Sequence, residues 1–214
     1  MIEPVLRQPD GPGLHTLVWK WPEPVRTLSS APVGGGLNRT SWLLNIGVPL
    51  DYARIDLARH VSESVEALGI SGEGIALFTA ADVARVERAS SEGVVVDTTV
   101  GIFKPTWAAD PAGGYTPWKP GTINSVVQLP SVISVSAAVN AVITATEAKT
   151  QAIHEAGILG TGTASDAVVI VWPASPGAAN DEVAQFAGPR SLWGSRIAQA
   201  VHASVAAGID RWKK

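Results

Sequence analysis

Apolar and polar residues alternate over L-H-T-L-V-W-K-W (14–21), and a second strand-like run, V-R-T-L-S-S (25–30), follows Pro22 and Pro24. Trp42 to Val48, Gly74 to Thr79 and the β-branched run Val94 to Val100 predict further strands. An apolar run after Gly121 and A-V-V-I-V-W (167–172) have the character of buried strands. The period then changes. Ile55, Ala58, Val61, Val65 and Leu68 recur at spacings of three and four, which predicts a helix over 53–68 with Asp51 as N-cap and Gly69 as stop. Thr79 to Val83 opens a short helical piece. Pro130 cannot lie deep inside a helix, so a long helix, 131–156, begins after it with Ser131 as N-cap. A last helix, 191–211, carries Leu192, Ile197, Ala198, Val201, Val205 and Ile209 on its apolar side. Strands and helices mix without regular alternation. That pattern predicts an α+β fold, a layered α/β sandwich with a mixed sheet packed against the helices 131–156 and 191–211, and one domain over 1–214.

The long helix has two distinct stripes. At about 100° per residue, one stripe holds Ile133, Ser136, Asn140, Thr144, Glu147, Gln151 and His154. The opposite one holds Val135, Ala138, Val142, Ala145, Lys149 and Ile153, and by content it is a core face. Glu147 and Lys149 lie about 200° apart around the helix, so a regular helix cannot aim both at one point. The polar stripe is either a solvated face or the wall of a cleft, where Glu147 serves as acid or base and Asn140 and Thr144 hold a substrate. Lys149 either snorkels with its stem on the core, or is partly buried and paired with a carboxylate, or is shifted toward its neutral form and serves as base for a hydroxyl nucleophile. Asp166, at the start of the next strand, is its natural partner.

The loops add candidates and the composition removes classes. Gly34, Gly35 and Gly36 form either a hairpin connection or a cradle of backbone N–H groups for substrate oxygens. Residues 101–120, rich in Pro, Gly and Trp, predict an ordered loop bordering a site or a lid. With 16 basic against 19 acidic residues the net charge is -3, which argues against a nucleic-acid partner. The absence of cysteine excludes disulfides, thiolate metal sites and cysteine nucleophiles. The four histidines show no ligand spacing, so no metal is expected. No apolar run reaches the roughly 18–20 residues of a membrane span, and the N-terminus lacks the pattern of a secretory signal. A cytoplasmic protein is expected. The oligomeric state is open, a homo-oligomer included.

Four blocks together resemble the adenosylcobinamide amidohydrolase family: S-S-A-P-V-G-G-G-L-N (29–38), G-T-I-N (121–124), T-A-T-E-A-K-T (144–150) and G-T-A-S-D-A (162–167). L-N-I-G-V-P-L-D-Y (44–52) and A-G-P-R-S-L-W-G (187–194) agree with them, while the chain departs from the family pattern at 101–108 and at A-G-P-R. The resemblance implies hydrolysis of the amide between a corrin side chain and aminopropanol. A corrinoid is then the small-molecule substrate, and no further cofactor is implied. It moves the polar stripe into the substrate cleft, with Glu147 as base and later acid, and with Lys149, partnered by Asp166, either orienting a carboxylate or itself acting as base. Asn124 and the Gly34–Gly36 amides become candidate oxyanion donors, and Thr122 and Thr163 candidate hydroxyls. Asn38, Asn45, Asn140 and Thr144 complete the expected substrate contacts, with Trp107 and Trp118 either stacking on the substrate or pinning their loop.

Overall fold

The computed structural model describes residues 1–8, 14–110, 121–175 and 182–214. In chain order the elements are β1 (Val5–Arg7), β2 (Thr16–Ser29), β3 (Gly36–Gly47), α1 (Leu57–Ala67), β4 (Gly74–Thr79), β5 (Glu87–Ser91), β6 (Val94–Gly101), β7 (Thr122–Gln128), α2 (Val135–Glu155), β8 (Ala167–Trp172) and α3 (Leu192–Trp212). A 3₁₀ turn over Val83–Arg85, capped by the Asp82 side chain, precedes β5. The strands form one mixed sheet in the order β4-β3-β2-β8-β7-β6-β5, with β1 on β2. Pairs β3–β4 and β7–β8 are parallel and the others antiparallel. The α+β layered expectation holds.

Strand β2 is the hinge of this sheet. The two runs expected on either side of Pro22 and Pro24 are one strand, and the prolines fall where its register with β3 shifts, between Lys20 and Val25. Proline brings no N–H to a ladder, so an irregular stretch is where a strand tolerates it. One edge of β2 pairs with β3 along its length. The other pairs with β1 at Thr16–Val18 and with β8 at Arg26–Ser29. The sheet doubles over at this point. Trp19 of β2 donates to Asp97 of β6 at 3.0 Å, and Asn124 of β7 donates to the Phe78 carbonyl of β4 at 3.1 Å, although neither pair is adjacent in strand order.

Side-chain alternation fills three apolar layers. Leu17, Trp19, Leu43 and Leu77 from one half of the sheet meet Val126, Val169 and Val171 from the other. Val127, Ile170 and Trp172 point the opposite way, onto α2 and α3. Trp42, Leu44, Ile46 and Ala76 pack against Val61 of α1. The result is helix, sheet, sheet, helix, with apolar contacts at each junction.

Two helix starts differ from expectation. Ser134, not Ser131, caps α2 by accepting from the Ala137 amide. Residues 132–134 are held extended because they exchange backbone hydrogen bonds with Ala184. Helix α1 begins at Leu57 rather than 53. Asp51 is not its cap, and Asp56 occupies that position with its carboxylate bound to Arg54 instead. Ile55, expected on the apolar side, is 96% exposed. Among the described residues no helix is long and apolar enough to cross a membrane.

Candidate active site

Strands β7 and β8 are parallel and joined through α2, so the chain leaves β7 at one end and re-enters β8 beside the start of β7. This places 162–166 against 121–123. Helix α2 returns toward the same end, which carries Lys149 to Asp166. The two pair at 2.5 Å, with side chains 10% and 11% exposed. Four donors lie within hydrogen-bond distance of the Asp166 carboxylate: Lys149 Nζ and the Thr163 amide at Oδ2, the Ile123 amide and the Thr163 hydroxyl at Oδ1, the last sharing its one proton with the Gly121 carbonyl. Asp166 thereby joins the start of β7 to the start of β8. Gly162 permits the pair, since a Cβ there would lie 2.2 Å from Asp166 Oδ2 and 2.6 Å from Lys149 Nζ.

A cavity of about 480 Å³ opens over this junction. Thr122, Asn124, Ser165 and Asp166 form its polar side, and Val48, Tyr52, Leu57, Leu77 and Phe78 its apolar side. The Thr122 and Ser165 hydroxyls are 2.9 Å apart, and Ser165 also lies 3.0 Å from the Gly121 carbonyl. Both amide hydrogens of Asn124 are committed, to Asn45 Oδ1 at 2.9 Å and to the Phe78 carbonyl. The carbonyl can only accept, which fixes the orientation of the Asn124 amide. Asn45 in turn donates to Thr99. Asn124 and Asn45 therefore tie the two halves of the sheet together beneath the cavity, and Asn124 has no free donor for an oxyanion.

The apolar wall is braced from outside. Tyr52 stacks on Phe78, and its hydroxyl lies 2.7 Å from His60 Nδ1. Burial lowers the His60 pKa and raises that of Tyr52. Arg54, on the rim, is clamped between Asp56 and Glu63, and it holds Asp56 at about 2.

Several expected site residues lie elsewhere. Glu147 is exposed on α2 and does not line the cavity. The helix docks through Ala137, Ala141, Ala145, Ala148 and Ala152, which turns Glu147 to the opposite side. Thr144 and Asn140 sit at the margin of that docked face and hold the 187 segment. The Thr144 hydroxyl donates to the Ala187 carbonyl at 2.8 Å, and Asn140 accepts from the Ala187 amide. Gly34 and Gly35 lie in the β2–β3 connection and Gly36 opens β3; none of the three lines the cavity, although Ser30 and Pro32 of that connection do. Gly34 has a φ of 69°, and a Cβ on it would lie 2.5 Å from the Gly74 carbonyl. Asn38 closes this loop by donating to the Gly34 carbonyl. Trp107 is half exposed, on a segment tied by Thr106 to Thr161 and Gly162. Trp118 lies outside the described residues.

Ser165, Tyr52, Arg54 and Phe78 are the site residues that sequence reasoning missed. Ser165 and Tyr52 stand inside blocks already singled out, so the signal was present without the geometry to rank it. Among the described residues no cluster of three or more His, Asp or Glu side chains is gathered to hold a metal.

The sequence profile of one family, described as adenosylcobinamide amidohydrolase, matches residues 7–214. The chain belongs to the adenosylcobinamide amidohydrolase family. It is therefore a hydrolase of a carbon–nitrogen amide bond. The adenosylcobinamide amidohydrolase of Methanosarcina mazei is 25% identical over 185 residues, covering 85% of this chain and 88% of that protein. Among solved structures, the PH0078 protein of Pyrococcus horikoshii aligns over 95% of this chain and 80% of its own, with a TM-score of 0.48 at 12% identity. An L-aminopeptidase D-Ala-esterase/amidase from Ochrobactrum anthropi aligns over 97% and 82%, with a TM-score of 0.40 at 11% identity. Both likenesses are too loose to carry a mechanism to this family member.

Proposed function

We propose that this cleft hydrolyses the amide joining the corrin f side chain of adenosylcobinamide to aminopropanol. The products are adenosylcobyric acid and 1-amino-2-propanol, a step of corrinoid salvage, and residues 1–214 act as one amidohydrolase domain. Family membership supports the substrate. The observation that carries the site is the hydroxyl pair Thr122–Ser165 on the polar side of a cavity whose facing wall is apolar. A cavity of about 480 Å³ lies within the usual range for small-ligand sites. It admits the amide-bearing arm and not the macrocycle, which rests outside the rim. The apolar wall of Val48, Leu57 and Phe78 matches the methyl and methylene groups of aminopropanol.

The reaction then runs through a hydroxyl. Its oxygen bonds to the amide carbon, the carbon–nitrogen bond breaks, and 1-amino-2-propanol leaves with the added proton. Water hydrolyses the resulting ester and restores the hydroxyl. Glu147 plays no part in this scheme. Incubating the purified protein with adenosylcobinamide, with the corrinoid and the amine both quantified, tests the reading. Equal release of adenosylcobyric acid and 1-amino-2-propanol is expected. A corrinoid that stays intact at high enzyme concentration would refute it.

A further inference from the structure

The hydroxyl pair poses a problem of its own. Neither Thr122 nor Ser165 has a His, Asp, Glu or Lys within hydrogen-bond reach among the described residues; their partners are each other and the Gly121 carbonyl. A hydroxyl without a base is a weak nucleophile. The same atoms are, however, arranged around a peptide bond of the chain itself. The Gly121 carbonyl oxygen can only accept, so Ser165 donates to it and must accept from Thr122. The hydrogen bonds therefore run in one direction, from Thr122 Oγ1 through Ser165 Oγ to the oxygen of the peptide group directly preceding Thr122. The Thr163 hydroxyl lies 2.5 Å from that same carbonyl oxygen and shares its single proton between it and Asp166. Asp166 and Lys149 fix this corner, and the Ile123 amide bound to Asp166 holds the first turn of β7 in place. Gly121 itself is buried and closely packed, with room for a Cβ only 3.0 Å from the Gly101 carbonyl.

We propose that the chain cleaves its own Gly121–Thr122 peptide bond, and that the α-amine so released on Thr122 is the base that activates the Thr122 hydroxyl for amide hydrolysis. Thr122 Oγ1 bonds to the Gly121 carbonyl carbon through a five-membered ring, while its proton passes by way of Ser165 to the carbonyl oxygen. The Thr163 and Ser165 hydroxyls stabilise charge on that oxygen as an oxyanion hole does. The carbon–nitrogen bond then breaks, the proton returns to the Thr122 nitrogen, and an ester links Gly121 to Thr122 Oγ1. Water hydrolyses this ester, leaving the Gly121 carboxylate, a free hydroxyl and a free amine on Thr122. An unperturbed α-amine titrates at about 8, so a useful fraction is neutral near neutral pH, and threonine paired with its own terminal amine is an established form of activated nucleophile. The catalytic use of the amine rests on the amidohydrolase reading above, whereas the cleavage stands on the hydroxyl geometry alone.

The test is made on the purified 214-residue chain. Denaturing gels, intact mass and N-terminal sequencing are followed during incubation, with adenosylcobinamide turnover assayed on the same samples. Two fragments, 1–121 and 122–214, are expected, the second beginning T-I-N-S and the pair together one water heavier than the chain. Thr122→Ser is expected to be processed, Thr122→Val to remain one chain, and Ser165→Ala to be processed roughly 100-fold more slowly or worse. A wild-type chain still intact after prolonged incubation overturns the proposal, as does a boundary elsewhere or equal processing of Thr122→Val with native circular dichroism. An intact chain that turns over adenosylcobinamide overturns self-cleavage and leaves the amidohydrolase reading standing. A processed chain without turnover does the reverse.

Discussion

Replacing Lys149 by Met removes one partner of a buried ion pair and keeps most of the side-chain volume. The Asp166 carboxylate, 11% exposed, then loses its one cationic partner among the described residues and retains three neutral donors. Breaking a buried pair from one side costs about 3–5 kcal/mol, because the remaining charge stays desolvated. For a chain of this size about 2–4 °C of melting temperature corresponds to each kcal/mol. Lys149→Met should therefore lower Tm by roughly 6–20 °C. The cost should persist at high salt, since ions in solution barely screen a buried pair. Adding Asp166→Asn to Lys149→Met removes the orphaned charge, so the double variant should be more stable than the sum of the single losses by about 0.5–3 kcal/mol. Thermal and urea denaturation followed by circular dichroism give all four corners of the cycle. A Lys149→Met shift below about 2 °C, or simple additivity, would show that the pair is not the buried, four-donor arrangement described.

Other perturbations separate the parts of the site. Glu147→Gln should leave turnover of adenosylcobinamide unchanged, because Glu147 is exposed and off the cleft; loss of activity with intact folding would return it to the mechanism. Gly162→Ala pushes a methyl group against Asp166 and Lys149, and overpacking of this kind costs about 1–3 kcal/mol, readable as a drop in urea midpoint; an unchanged midpoint would contradict the tight packing. Burial lowers the His60 pKa from 6.5, so the unfolded chain binds more protons below that pH and stability falls as pH drops through the window beneath 6.5. His60→Gln should flatten that part of the stability–pH curve, and an unaltered slope would remove His60 as its source.

The alternating and β-branched runs located β4, β6, β7 and β8 closely, and the 3.6-residue period located α3, because burial on one face dictates those patterns. Lys149 on the core side of α2 with Asp166 opposite was also legible, from face angles and the position of Asp166 at a strand start. The active-site wall was harder to see. A polar stripe and a small-residue stripe on one helix do not reveal which edge meets a cleft: the period alone groups Thr144 and Asn140 with Glu147, whereas both grip Ala187. Asn45 and Asn124 are 79 residues apart, and their contact exists only because the sheet folds over at the Pro22–Pro24 irregularity. Pairings created by a change of sheet direction leave no local period. Ser165 belonged to a recognised block, yet its value comes from the Gly121 carbonyl and the Thr122 hydroxyl arriving beside it.

Hydrolysis of a corrinoid amide at the Thr122–Ser165 corner is the central proposal. Its most direct test is simultaneous quantification of adenosylcobyric acid and 1-amino-2-propanol from adenosylcobinamide, for the wild type and for Thr122→Val at matched folding. Equimolar products from the wild type and none from Thr122→Val are predicted. Undiminished turnover by Thr122→Val, or no amine from the wild type, would contradict the account.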